Sequence, residues 1–198
     1  MIAEGGVRLD LVRGSFVAAG QHDRWERSRA MGREEWEAVM ELTAPELHTF
    51  LLEHRVLAER MEAVRRDRSP ELYRLALGEL GREIDHHFVY EEKFVLPKVE
   101  RYFPSAVAGP AVRLREEHDL IRRRHREVLP GMDSQAGTGD VAGPWGDAVR
   151  LLAYLVLRHI EKEDHYFFPM ISRILTPEER AEVAEALARA NRKMEKAP

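Results

Sequence analysis

Two clusters of histidine and acid stand at matched places in the chain. His87-Phe88-Val89-Tyr90-Glu91-Glu92-Lys93-Phe94-Val95-Leu96-Pro97 can be laid over His159-Ile160-Glu161-Lys162-Glu163-Asp164-His165-Tyr166-Phe167-Phe168-Pro169. A histidine, a glutamate four residues on, a second acid, an aromatic-rich tail and a proline fall in register. Residues four apart on a helix share a face, one turn above the other. His87 and Glu91 can therefore hold the same metal ion, or adjacent ones, from one helix. His159 and Glu163 can do so from another. A shorter match lies upstream of each cluster: Leu52-Glu53-His54-Arg55-Val56-Leu57 resembles Glu116-Glu117-His118-Asp119-Leu120-Ile121. His54 and His118 complete a set of four imidazoles and two carboxylates. Inward pairs of this kind are how helical bundles build dinuclear sites. The donor set suits iron, zinc, copper or nickel better than calcium or magnesium. Two carboxylates in its middle suggest bridges between two metals.

Burial points the same way. Around His159 the sequence carries Val149, Leu152, Leu155, Val156, Ile160 and Phe167, an apolar stripe that runs through the histidine and Glu163. A bare carboxylate in a core is costly unless it is paired, and a dication is the simplest partner for Glu91 and Glu163 together. Around this set, Glu53 and Glu117 are expected to accept an imidazole N–H and fix its tautomer. Glu92 and Asp164 face solvent or orient ligands from outside, and Arg122 pairs with a carboxylate near the metals. His86 is second-layer or surface. His22, His48 and His165 face away as surface groups, and Phe88, Phe94, Tyr166, Phe167 and Phe168 serve the core.

These residues need long helices to position them, and the sequence supplies the signals. Thr43-Ala44-Pro45-Glu46 fits a capping box that opens a helix to about Arg66. Ser69-Pro70 opens a second, to about Phe103. The third runs from about Gly109 to Leu129 and is expected to stop at Pro130-Gly131. A Gly-rich loop, 131–143, leads to a fourth from about Pro144 to Leu175. Thr176-Pro177-Glu178-Glu179 is another capping box, for a last helix to about Met194. A short helix from His22 to Leu42 carries Trp25 and Trp36, suited to cover the bundle or a partner surface. No strand pattern competes. The expected fold is all-α: an up-down four-helix bundle over 43–175, an arm and short helix at 1–42, and a helix at 176–198 packed on the bundle.

Composition narrows the chemistry further. The 198 residues include no cysteine, which excludes disulfides, thiolate zinc sites, iron–sulfur clusters and cysteine nucleophiles. Any metal is held by nitrogen and oxygen. A net charge of −4 with mixed signs argues against nucleic acid. No apolar run reaches membrane-spanning length and no signal pattern opens the chain, so a cytoplasmic protein without membrane contact is expected.

The chain resembles the hemerythrin-like, or HHE cation-binding, family. The resemblance rests on Glu53-His54, His87-x3-Glu91-Glu92 with Pro97, Glu117-His118, and His159-x3-Glu163-Asp164 with Phe168-Pro169, and spans roughly Glu46 to Arg173. It implies two iron ions, carboxylate-bridged with an oxo or hydroxo bridge, held by His54, His87, Glu91, His118, His159 and Glu163. Glu91 and Glu163 would bridge. Asp164 is a further candidate, since an aspartate five after the histidine bridges in some relatives. Oxygen-carrying members have H-x3-H on the third helix, and here that position is Arg122, whose guanidinium does not ligate metal. His125 shares the His118 face but lies about 10.5 Å further along, which makes it a secondary candidate. Water, Tyr90, Tyr166 or an exogenous ligand is left to fill the position. The departure favours small-molecule chemistry or sensing over reversible oxygen carriage. The expected partner is a small diatomic ligand (oxygen, nitric oxide) or peroxide. An enzyme that decomposes peroxide or repairs iron centres is a rival reading, and a partner-binding helical protein with a structural metal is another. The N-terminal segment could serve dimerisation.

Overall fold

A serine followed by proline sets the start of the second long helix. Ser69 Oγ accepts from the Leu72 amide at 3.5 Å, and Pro70 takes the first helical position, where its missing N–H costs nothing. The computed structural model describes residues 31–103, 109–135, 141 and 143–194. Among these residues the elements are helical and no strand occurs. They are α1 (Arg33–Leu42), a 3-10 turn (Pro45–Leu47), α2 (His48–Arg66), α3 (Pro70–Asp85), α4 (His87–Tyr90), a π turn (Glu91–Val95) and α5 (Leu96–Tyr102). After these come α6 (Pro110–Gln135), α7 (Pro144–Lys162), a second π turn (Glu163–Phe167), α8 (Phe168–Ile174) and α9 (Pro177–Met194). Helix α2 packs against α3 and α7, and α6 packs against the same two, so the four long helices close a ring. Helix α1 lies against α8, and α9 lies against the 3-10 turn and the first π turn. No helix among the described residues is long and apolar enough to cross a membrane.

The π turns were not foreseen from the sequence. Leu96 N–H reaches the Glu91 carbonyl and Phe168 N–H reaches the Glu163 carbonyl, five residues back in each case. Pro97 and Pro169 come next. A proline has no N–H for the carbonyl four residues before it, and its ring crowds that carbonyl. A one-residue widening accommodates both and falls at the same register in the two copies, as π turns at functional sites often do.

Local signals lost to tertiary contacts in two places. Helix α6 does not stop at Pro130-Gly131. It continues to Gln135 with Pro130 inside it. Trp145 secures this end: its indole N–H donates to the Val128 carbonyl at 2.8 Å. The ring packs so close that a Cβ on Gly131 would stand 2.1 Å from Trp145 Cδ1. The capping box at Thr43 does not form either. The 3-10 turn has no side-chain cap, Thr43 Oγ1 is buried without a partner among the described residues, and the Ala44 amide donates instead to Ser172 Oγ at 2.8 Å. The box at Thr176 does form: the Glu179 amide donates to Thr176 Oγ1 at 3.2 Å and the Thr176 amide to Glu179 Oε2 at 3.0 Å. His22 and Trp25 lie outside the described residues. Trp36 is half-buried, with the Arg55 guanidinium 5.1 Å from its ring centroid.

The apolar interior is in two parts. One is built on Leu57, Met61, Tyr73, Leu77, Leu80, Phe88, Ile121, Val128, Leu152, Val156 and Ile160. The other is built on Phe50, Leu51, Val95, Leu96, Leu114, Phe167, Phe168 and Ile171, and continues into Val183 and Leu187 of α9. Between them, on each long helix in turn, sit His54, the His87–Glu91 turn, His118 and the His159–Glu163 turn.

Candidate metal centre

The polar layer between the two apolar clusters draws one imidazole from each of α2, α4, α6 and α7, and one carboxylate from the start of each π turn. The sequence repeat is why they meet. Each histidine follows an apolar stripe inward, and i, i+4 spacing stacks each glutamate beneath its histidine. His54, His87, Glu91, His118, His159 and Glu163 are all at most 2% exposed. Their inward atoms converge. Glu91 Oε2 stands 3.2 Å from His118 Nε2, and Glu91 Oε1 stands 3.6 Å from His87 Nε2. Glu163 Oε2 stands 3.1 Å from His54 Nε2 and 3.3 Å from His159 Nε2, and its Oε1 is 3.8 Å from His118 Nε2. The His54 and His87 rings lie 4.5 Å apart by centroid, and the His118 and His159 rings 4.9 Å. Each glutamate thus approaches both pairs, Glu91 through one imidazole of each and Glu163 through His54 on one side and both His118 and His159 on the other.

Outside this layer every imidazole has a carboxylate on its other nitrogen. His54 Nδ1–H donates to Asp164 Oδ1 at 2.6 Å, His87 to Glu53 Oε2 at 2.8 Å, His118 to Glu92 Oε1 at 2.8 Å and His159 to Glu117 Oε2 at 3.2 Å. The four contacts obey the repeat. The acid before each upstream histidine holds the downstream histidine of its own half. The acid after each inner glutamate holds the upstream histidine of the other half. With Nδ1 engaged outside, each ring turns its Nε2 inward, where it can take a cation once its proton is lost.

The inward atoms are where a cation fits. All four Nε2 atoms and all four oxygens of Glu91 and Glu163 are buried without a hydrogen-bond partner among the described residues. Eight orphaned ligand atoms in one buried layer would be a heavy penalty for a protein with nothing to place there. Two triads, His54-His87-Glu163 and His118-His159-Glu163, each offer three ligand atoms within 4.8 Å of one another. With only each other as partners, these groups shift as buried ion pairs do. Burial pulls His87 down, but the nearby charge of Glu91 and the hydrogen bond to Glu53 carry it up to about 10. His118 also rises to about 10, because Glu163, Glu91 and Glu92 outweigh its burial. Asp164 and Glu163 outweigh burial to hold His54 well above its ordinary value. Burial would raise Glu163, yet His159, His118 and His54 hold it well below the usual carboxylate range. Burial and Glu163 push Glu91 up, and His87 and His118 bring it below its ordinary value.

The remaining sequence candidates fall elsewhere. His125 is away from the layer: its Nε2–H donates to the Leu77 carbonyl at 2.9 Å, beside Gly81, and burial lowers its pKa. Asp164 is 1% exposed and turned to His54 Nδ1, not toward the inward atoms. Arg122 Nη1 donates to Glu92 Oε1 at 2.7 Å, and its guanidinium lies 5.6 Å from the Phe88 ring, which stacks flat on His118 at 3.9 Å. Tyr166 is 67% exposed, which removes it from core and ligand roles alike. His48 is half-buried rather than superficial; its Nε2 sits 2.9 Å from the Thr43 carbonyl and 3.1 Å from that of Met40. His165 faces Glu35 at 3.4 Å, away from the centre. One residue at the centre was missed. Glu83, 8% exposed, brings Oε2 to 3.2 Å from His87 Nδ1. Its signal was available in the spacing, as an acid four before His87, but on a charged helix that spacing looks like any surface pair.

Residues 46–171 match the sequence model described as the Hemerythrin HHE cation binding domain. No curated protein and no solved structure matches the chain.

Proposed function

The chain belongs to the hemerythrin HHE cation-binding family, and from that premise we propose that it is a non-haem di-iron protein that binds or senses oxygen or a related small molecule such as nitric oxide or peroxide. The observation that carries the reading is the layer of eight buried, unpartnered nitrogen and oxygen atoms in which Glu91 and Glu163 each reach both histidine pairs. That arrangement suits two cations bridged by two carboxylates, in a four-helix bundle of up-down order. The closed ring of α2, α3, α6 and α7 supports that architecture.

The donor chemistry fits iron. His54 and His87 would hold one ion and His118 and His159 the other, with Glu163 and Glu91 offering oxygens close to both pairs. When bound, iron supplies one-electron redox chemistry and an open coordination position. The protein's own groups do the rest. Asp164, Glu53, Glu92 and Glu117 fix the ring orientations through Nδ1 and raise the basicity of Nε2. Phe50, Phe88 and Phe168 lie against the imidazole rings and keep the layer dry. Because the six groups are at most 2% exposed, only a small ligand reaches them without opening the bundle. Arg122, tied to Glu92, leaves the third helix with one imidazole for the centre, which supports sensing or redox handling over reversible carriage.

The test combines elemental analysis with an absorption spectrum of the reduced protein, before and after air or nitric oxide. Two irons per chain and a new charge-transfer band on oxidation are expected. Zinc alone in protein isolated from iron-replete cells, or iron whose spectrum ignores oxygen, nitric oxide and peroxide, would leave a structural metal as the better account.

A further inference from the structure

The two histidine pairs have different surroundings. His118 and His159 rest on Glu92 and Glu117, and each of those carboxylates also holds a cation. Arg122 Nη1 shares the very oxygen of Glu92 that His118 uses, at 2.7 Å, and Lys162 binds Glu117 Oε1. The pair His54 and His87 rests on three carboxylates, Asp164, Glu53 and Glu83. Among the described residues no lysine or arginine pairs with any of them. The repeat locates the difference. The position that holds Arg122 in one half holds Ala58 in the other; Lys162 answers to Tyr90, and Glu83 answers to Leu155.

We propose that Arg122 and Lys162 on one side, and Glu83 on the other, make the two cation positions unequal, so that the His54/His87 position fills first and the His118/His159 position binds more weakly. The inference rests on the dinuclear reading above. A carboxylate on Nδ1 makes an imidazole a better donor, and the effect comes from its negative charge. A guanidinium on the same oxygen cancels much of that charge, and an extra buried carboxylate adds to it. The formal outer charge is −3 around His54 and His87 and zero around His118 and His159. Asp164 is 1% and Glu83 8% exposed, so their charges are weakly screened, whereas Glu53 and Lys162, with side chains 33% and 47% exposed, contribute less. Groups of this outer kind change metal affinity by about 10- to 100-fold when removed, so a gap of about tenfold or more between the two positions is expected.

The experiment is a calorimetric and absorption titration of the full-length, metal-stripped protein with cobalt(II). Wild type is expected to take two ions in two resolved steps. His54→Ala removes the tighter step and His159→Ala the weaker one. Arg122→Ala with Lys162→Ala tightens the second step and narrows the gap at least about threefold. Glu83→Leu, which installs the residue of the other half, narrows it by weakening the first. Two equal steps in wild type, or a gap that neither variant moves, would overturn the inference and leave the dinuclear reading intact. Fewer than two cobalt ions per chain would instead sink the dinuclear reading itself.

Discussion

The rod made of α3, α4 and α5 and the rod made of α7 and α8 carry the same chemistry on different frames. The first begins at a serine cap and breaks at His86, where φ −123° and ψ −68° leave the helical range just before His87. The second begins on Gly143 at φ 95°, a left-handed conformation that favours glycine, and runs unbroken to Lys162. Yet both turn π at the inner glutamate and regain α geometry one residue before proline. The features shared by both rods are those that aim a histidine, a glutamate and the following acid at one layer. Beyond that layer the rods are free to differ, because nothing there must converge on a common point.

The largest test of this likeness removes one glutamate at a time. Glu163 approaches three imidazoles and Glu91 two. Glu163→Ala is expected to lose both ions, with affinity falling by more than the about 100-fold typical of groups outside the donor set. Glu91→Ala should retain part of its metal. Elemental analysis after dialysis decides: equal loss in the two variants, or the greater loss at Glu91, would show that the rods do not contribute as their geometry indicates.

The centre was legible in the sequence to the depth that helical spacing reaches. His87 with Glu91, and His159 with Glu163, follow from the four-residue period, and the repeat brought in His54 and His118. Glu53, Glu117 and Arg122 also stand where they were expected. What spacing could not separate was Glu92 and Asp164 facing solvent from the same residues holding a histidine. A π turn shifts the register by one residue without changing the apolar pattern, so two consecutive acids both serve the layer. His125 illustrates the converse. It shares a face with His118, but two turns further on the neighbouring group is the Leu77 carbonyl. The end of α6 was misread because Trp145, from another helix, holds it.

Metal loading should be linked to protons, and more strongly than at a preformed neutral site. In the metal-free fold His87 and His118 titrate at about 10, against about 6.5 in an unfolded chain. Their contribution to stability is complete below about pH 6.5 and is lost as pH rises through about 10. Glu163 and Glu91, lowered in the fold, contribute above their unfolded value of about 4.5 and lose that contribution as pH falls. Binding a cation at Nε2 expels the histidine protons, so affinity should climb about tenfold per pH unit for each proton displaced at neutral pH. Calorimetry in buffers of different ionisation enthalpy counts those protons. A count of zero at pH 7 would contradict the ion-paired description of the metal-free layer.

A milder comparison sets Asp164→Asn against Glu92→Gln. Both keep a carbonyl oxygen for an imidazole N–H and remove one charge. Burial would raise Glu92, but hydrogen bonds from His118 and Arg122 hold it near about 2, and Arg122 already neutralises it. Asp164 has no such cation among the described residues and is buried. Asp164→Asn should weaken cobalt(II) binding by about tenfold and Glu92→Gln by less. Equal losses would mean that the acid–imidazole contact acts through geometry alone.

A last pair of tests lies in the frames, where the two rods differ most. Gly146, in the first turn of α7, meets the backbone: a Cβ there would stand 1.7 Å from the Val141 carbonyl oxygen. Neither atom can swing aside, so Gly146→Ala should cost about 2–3 kcal/mol through displacement of the chain entering α7. Gly78, exposed on α3, has nothing within 4 Å of a built Cβ. Gly78→Ala should therefore stabilise the protein by about 0.5–1 kcal/mol, because alanine loses less backbone freedom in a helix. Urea unfolding of metal-free protein, read by far-UV circular dichroism, gives both values on one scale. The opposite signs matter more than the sizes, since a Gly146→Ala protein as stable as wild type would show that the start of α7 adapts as freely as the exposed face of α3.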